Sequence, residues 1–200
     1  MKLRLLNAAH SSIAYLGLLA GIPTVADAVE EPLIAGFVEK LWREEAIPTL
    51  PEAMQALAPA YCAQLRTRFA NRALAHRTAQ IATDGSKKIP VRWLPTIARR
   101  MASGQHADAL SLALASWIRC LAGTDDQGGR IALDDPLADR LAPLARHEEA
   151  ALAVRSVLQS VPGLEPLSSS TAFTDKVAGA LAGLRAQGAL SSLSRLLAVS

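Results

Sequence analysis

Alanine and leucine supply 70 of the 200 residues (39 and 31), while aromatic residues make up only 4%. Both are strong helix formers, and the β-branched and aromatic residues that fill strands are scarce. A sheet of any size is hard to build from this inventory. The sequence therefore predicts an all-α fold. Half of the residues are hydrophobic and a fifth are charged, so the chain can bury enough apolar surface to offset its ordering entropy. Its length suits one domain of ordinary size.

The pattern of breakers divides the chain into helices. Residues 2–20 read as a helix that is apolar on most sides, ended by Gly21 and Pro23. A second opens at Pro32 with a core stripe of Leu33, Ile34, Phe37, Val38, Leu41 and Trp42, and stops at Pro48 and Pro51. Further helices are predicted over about 52–69 (broken at Pro59), 72–82, 94–101 and 107–121. The last seventy residues should give three or four more, with breaks at Pro162-Gly163 and Gly188. Asp84-Gly85-Ser86 reads as a turn, and Pro90 suggests a short extended piece after it. No repeat and no flexible linker is legible, so residues 1–200 form a single helical domain in this reading.

Two cysteines, Cys62 and Cys120, are too few for a disulfide framework or a cysteine-based zinc site. No run of 18 apolar residues is free of charged or strongly polar groups, which argues against a membrane span. Lys2, Arg4, the apolar stretch 13–20 and Ala26-Asp27-Ala28 imitate a signal peptide, but Asn7, His10, Ser11 and Ser12 interrupt it. A cytoplasmic location is expected.

The net charge of +3 hides an asymmetry. From Arg66 to Arg100 there are nine Lys or Arg and one acid, Asp84, so this segment carries +8 and the remainder −5. A solvated helical face, a nucleic-acid surface or a pocket for an anionic small molecule would each use such a segment. Only Phe69 and Trp93 are aromatic within it, and no nucleic-acid module is legible, so no nucleic-acid partner is expected.

The first ten residues carry the most chemistry. Lys2, Asn7 and His10 lie on one predicted helix. At about 100° per residue Asn7 and His10 are about 60° apart, and Lys2 is about 80° to the other side of His10. An amine, an amide and an imidazole can thus converge on one small ligand. A lysine in a poorly solvated pocket can accept a proton near neutral pH, an amide can hold a developing oxyanion, and a histidine can bond a neighbouring hydroxyl. This equipment suits metal-free oxidation of an alcohol or reduction of a ketone, given a hydride carrier. The same three residues would also serve as a terminal charge and two satisfied polar groups in a helix bundle.

The stretch from Met1 to His10, followed by Ser-Ser-Ile-Ala-Tyr-Leu-Gly17, closely resembles the mannitol dehydrogenase and hexuronate reductase family, the zinc-independent long-chain polyol dehydrogenases. A second block agrees: Arg68-Phe69-Ala70-Asn71, then His76 to Pro90 with its Asp84-Gly85-Ser86-Lys87-Lys88 signature. The resemblance implies that Lys2 is the general acid/base, Asn7 an amide of the oxyanion site, His10 a ligand of a substrate hydroxyl and Lys88 a substrate contact. At Gln80, polyol dehydrogenases tend to carry a basic residue. The run around Gln80 is more similar to fructuronate reductase (mannonate oxidoreductase), whose substrate brings a carboxylate. Arg77, Lys88 or Arg92 could bind that group, an arginine through two parallel hydrogen bonds. A mannitol or other polyol substrate, or a non-catalytic helical remnant, are the alternatives. Ala8-Ala9 stands where the family usually has Gly-Ser.

The resemblance also implies NAD as cofactor, no metal, and an N-terminal Rossmann domain. Nothing in the 200 residues resembles a dinucleotide fingerprint. The chain is therefore expected to be the C-terminal, substrate-binding half of such an enzyme. A Rossmann domain in cis or as a separate subunit would be its partner, and the chain alone would be inactive.

Overall fold

The computed structural model describes residues 1–198. Among them there is no strand, only two isolated antiparallel bridges, Thr24 with Arg77 and Thr124 with Arg130. The all-α reading holds. Thirteen α-helical segments occur among the described residues. The longer ones are α1 (Ala8–Leu19), α3 (Pro32–Lys40), α5 (Ala58–Phe69), α7 (Gly85–Arg92), α8 (Leu94–Ala102), α9 (Asp108–Leu121), α10 (Ala138–Ala145), α11 (Ala150–Ser160) and α13 (Thr171–Ala198). Short segments α2 (Val25–Glu30), α4 (Glu52–Gln55), α6 (Thr78–Ile81) and α12 (Glu165–Ser168) join them.

The core forms around α9 and α1. From Ala109 to Leu121 all side chains of α9 but that of Arg119 are buried, and α9 packs along α13 and α1. Most of the stripe read from sequence is in place: Ile34, Phe37 and Val38 of α3 and Leu41 and Trp42 of the π-helical turn that follows it (Leu41–Ala46) are buried, while Leu33 is only partly so. Burying each such side chain stabilises the fold by about 1.5–3 kcal/mol. Pro32 sits in the first turn of α3, where Glu31 caps by accepting from Leu33 N at 3.3 Å. The break at Gly188 appears as a kink inside α13. The glycine takes φ 78°, and the Asp126 carboxylate receives the freed Ala189 N–H at 2.6 Å.

Two expectations fail between residues 72 and 92. The predicted helix over 72–82 is a 3₁₀ turn (Arg72–Leu74), a loop and the four-residue α6. Asn71 Oδ1 takes the Ala73 N–H at 3.0 Å and Ala75 adopts left-handed φ/ψ. The chain then runs extended, with Val25 N bonded to His76 O (2.9 Å) and Thr78 N to Pro23 O (3.0 Å). Side-chain capping and cross-chain pairing thereby outcompete helix propensity. The second failure is at Pro90, which lies inside α7 rather than in an extended piece. Its fixed φ fits a helix. The fully buried Ile89 and Trp93 hold this two-turn segment in place despite the lost hydrogen bond.

Candidate active site

The predicted first helix does not start as an α-helix. Leu3–Asn7 forms a π-helical turn before α1, with Asn7 N bonded to Lys2 O at 3.0 Å. A five-residue step rotates Asn7 back toward the face of Lys2, which a regular α-helix would not do. Two fully buried indoles brace the turn. Trp42 Nε1 donates to Leu5 O at 2.9 Å and Trp93 Nε1 to Ala8 O at 3.2 Å. Ser12 Oγ also donates to Ala8 O, at 2.9 Å. Ala8 and Ala9 are both buried.

Lys2 is exposed at the start of this turn, not in the poorly solvated pocket expected of it from sequence, and Asn7 is half-buried. His10, one turn further on, sits in an aromatic and cationic nest. It stacks on Phe69 (ring centroids 5.4 Å apart) and meets the His76 ring at 5.8 Å. Phe69 in turn stacks on Trp42. Burial lowers the His10 pKa from 6.5 to about 4, and His76, Arg92, Arg68 and Lys88 push in the same direction. The imidazole is therefore neutral at physiological pH and can both donate and accept a hydrogen bond. Its Nε2 is buried with no hydrogen-bond partner among the described residues. An unsatisfied buried nitrogen costs about 1–3 kcal/mol, which a ligand hydroxyl would recover.

Segment α7 supplies the cations. Its start is fixed by Asp84, which is left-handed (φ 53°) and bonded through its N–H to Asp134 O at 2.8 Å. Ser86 N donates to the buried Asp135 carboxylate at 2.6 Å. Gly85 is required here. A Cβ would lie 2.5 Å from Trp117 Nε1 and 2.6 Å from the Tyr15 hydroxyl. Lys88 and Arg92 follow one turn apart on one face. Lys88 Nζ donates to Thr83 Oγ1 (3.0 Å) and Arg92 Nη1 to Ser11 Oγ (2.6 Å). Partial burial holds both pKa values below their usual range, with Arg92 adding to the effect on Lys88. Neither forms an ion pair with an acid among the described residues, so both can accept an anionic ligand.

Arg77 lies apart from this nest, whereas the Gln80 carbonyl accepts from the Thr83 hydroxyl that Lys88 also bonds. Arg77 is exposed and lines a different cavity with Asp125 and Arg130, while Gln80 is exposed at the end of the same segment. Conversely, Arg68 and His76 join the nest without having been singled out from sequence. Both sit in the blocks that carry the family resemblance, but only the extended run at 76–78 shows that His76 reaches His10. Among the described residues no group of three His, Cys, Asp or Glu comes together that could hold a metal ion.

The family model for the mannitol dehydrogenase C-terminal domain matches residues 1–184. The chain belongs to that family. It is 35% identical over 198 residues to D-mannonate oxidoreductase of Escherichia coli K12, covering 98% of this chain and 40% of that protein. It is 32% identical to mannitol 2-dehydrogenase of Pyrenophora tritici-repentis, covering 98% and 34%. Its fold superposes with a TM-score of 0.92 on Pseudomonas fluorescens mannitol 2-dehydrogenase, solved as a ternary complex with NAD and D-mannitol. Identity there is 28%, over all of this chain and 40% of that one. The chain thus spans about two-fifths of the length of these relatives or less. Among the described residues no helix is long and apolar enough to cross a membrane.

Proposed function

We propose that this chain is the substrate-binding and acid/base half of an NAD-dependent oxidoreductase that interconverts D-fructuronate and D-mannonate at C2. The observation that carries this reading is the nest around His10, where a neutral imidazole with an unpartnered nitrogen lies near two cations, Lys88 and Arg92, that form no ion pair among the described residues. A uronate offers hydroxyls for the first and a carboxylate for the second. Arg92 can bind a carboxylate through two parallel N–H donors, and its bond to Ser11 holds it ready. Lys2 holds the proton that leaves or joins the C2 oxygen. Asn7 offers its amide N–H to that oxygen, and His10 bonds an adjacent hydroxyl.

No Rossmann-type dinucleotide cradle is present among the described residues. The described residues contain no strand, and no glycine-rich turn joins a strand to a helix. The dinucleotide belongs to a Rossmann domain, in cis or as a partner subunit, and the 200-residue chain alone does not turn over NADH. A cytoplasmic setting goes with this chemistry. A polyol 2-dehydrogenase is the second reading, favoured by the mannitol 2-dehydrogenases among the relatives.

The test is NADH oxidation with D-fructuronate by the complete polypeptide and its Lys2→Ala variant. The proposal expects turnover in the parent and a loss of about 100-fold or more in the variant, with NADH affinity unchanged. Equal loss of turnover and NADH affinity would make Lys2 structural and overturn its assignment.

A further inference from the structure

At the far end of α1 and α9 a second group of cations gathers. The loop after α9 is tied to the end of α1 by the Asp126 N–H, which donates to Leu19 O at 3.0 Å. Along α1 this junction at Leu19 lies nine residues beyond His10, roughly 14 Å. Here Arg119 from α9, Arg146 after α10 and Arg185 from α13 surround a concavity of about 260 Å³, floored by Ala122, Thr124 and Ala145.

Each guanidinium is held by backbone carbonyls. Arg119 Nη1 donates to Thr124 O (2.6 Å), Arg146 Nε to Ala122 O (2.9 Å), and Arg185 to Ala145 O (2.9 Å) and Glu148 O (2.8 Å). None of the three forms an ion pair with an acid among the described residues. The nearby aspartates bond backbone N–H groups: Asp125 Oδ1 accepts from Gln127 N and Gly129 N, and Asp126 Oδ2, which also feels the charge of Arg119, accepts from Ala189 N. Arg185 feels the charge of Arg119, which together with burial holds its pKa below the usual range. Arg146 spends only Nε, so its two terminal nitrogens stay available. Gly123, at φ 97°, allows this approach, since a Cβ there would lie 3.3 Å from Arg146 Nη2.

Capping of helix ends by cationic side chains explains each carbonyl contact singly. It does not explain why three guanidinium groups gather around one hollow with no ion pair to an acid among the described residues. We propose that this hollow is a binding site for a phosphate-type oxyanion, either free phosphate or the phosphate group of a small metabolite. A tetrahedral dianion can take the free fork of Arg146 and the second N–H of the terminal nitrogens of Arg119 and Arg185, whose side chains are already ordered by backbone carbonyls, so little ordering cost remains on binding. The site is independent of the reaction at the other end of α1. Its occupation would lock the junction of α9, α10 and α13.

The experiment is calorimetric titration of the purified protein with inorganic phosphate at low ionic strength, repeated with a hexose 6-phosphate and with the Arg146→Gln variant. The expected result is saturable binding, weakened about tenfold or more in the variant at unchanged helix content. Tighter binding of the sugar phosphate would identify an organic source, and equal binding would identify free phosphate. Should Arg146→Gln not fold, Arg146→Lys keeps the charge while losing the fork, and weaker phosphate binding is expected there too. Absence of saturable binding to the folded protein, or binding unchanged in the variants, would overturn the proposal and leave the three arginines as helix caps.

Discussion

Two glycine-to-alanine substitutions should have opposite signs. Gly85 opens α7, and a methyl group there would penetrate to 2.5 Å of Trp117 Nε1 and 2.6 Å of the Tyr15 hydroxyl. Both side chains are fully buried, so neither can swing into solvent. Overpacking of this kind costs about 1–3 kcal/mol. Gly179 lies inside α13 with nothing within 4 Å of its would-be Cβ. Alanine there restrains the unfolded chain and should stabilise the protein by about 0.4–1 kcal/mol. For a domain of this size 1 kcal/mol moves Tm by about 2–4 °C. Gly85→Ala should therefore lower Tm by about 2–12 °C, and Gly179→Ala should raise it by about 1–4 °C. Thermal unfolding followed by circular dichroism reads both. If Gly85→Ala matched or exceeded the parent in Tm, α7 would not be packed on Trp117 and Tyr15, and the placement of Lys88 and Arg92 would fall with it.

Other outcomes follow from the titrating groups and the proposed site. Because the folded His10 pKa lies near 4 and the free value is 6.5, the unfolded chain binds the extra proton first. Stability should fall as pH drops from about 6.5 toward 4, and His10→Gln should flatten that limb in denaturant titrations. Glu45 is buried and receives the Ala109 and Leu110 N–H groups at 2.6 and 3.0 Å, yet burial outweighs these bonds and raises its pKa to about 7. Its contribution should be lost as pH rises from about 4.5 through 7, a slope that Glu45→Gln should remove. The purified 200-residue chain should give no NADH oxidation with fructuronate, and clear turnover would refute the need for a dinucleotide domain.

The helical class and its main helices were legible because they follow from composition and periodic burial. The α3 stripe, the buried α9 and the break at Gly188 all express local pattern. What escaped the sequence depends on distant partners. The π-helical turn at Leu3–Asn7 is stabilised by indole N–H groups from Trp42 and Trp93, 37 and 85 residues away from their acceptors. The extended run at 76–78 forms because it pairs with Pro23 and Val25. That pairing places His76 beside His10, a contact with no sequence signal of its own. Spacing put Lys2, Asn7 and His10 on one regular helix, which the π-helical turn replaces at Leu3–Asn7, and it could not separate Arg92, which reaches Ser11, from Arg77, which faces another cavity.

The proposed reaction rests on a carboxylate meeting Lys88 and Arg92, so substrate charge is its most direct test. The ratio of kcat/KM for D-fructuronate to that for D-fructose, measured on the complete polypeptide, should exceed about 100. Losing a charge-assisted bidentate contact leaves buried cations without a partner. A ratio near one, or a preference for fructose, would contradict the uronate assignment and identify the protein as a polyol dehydrogenase.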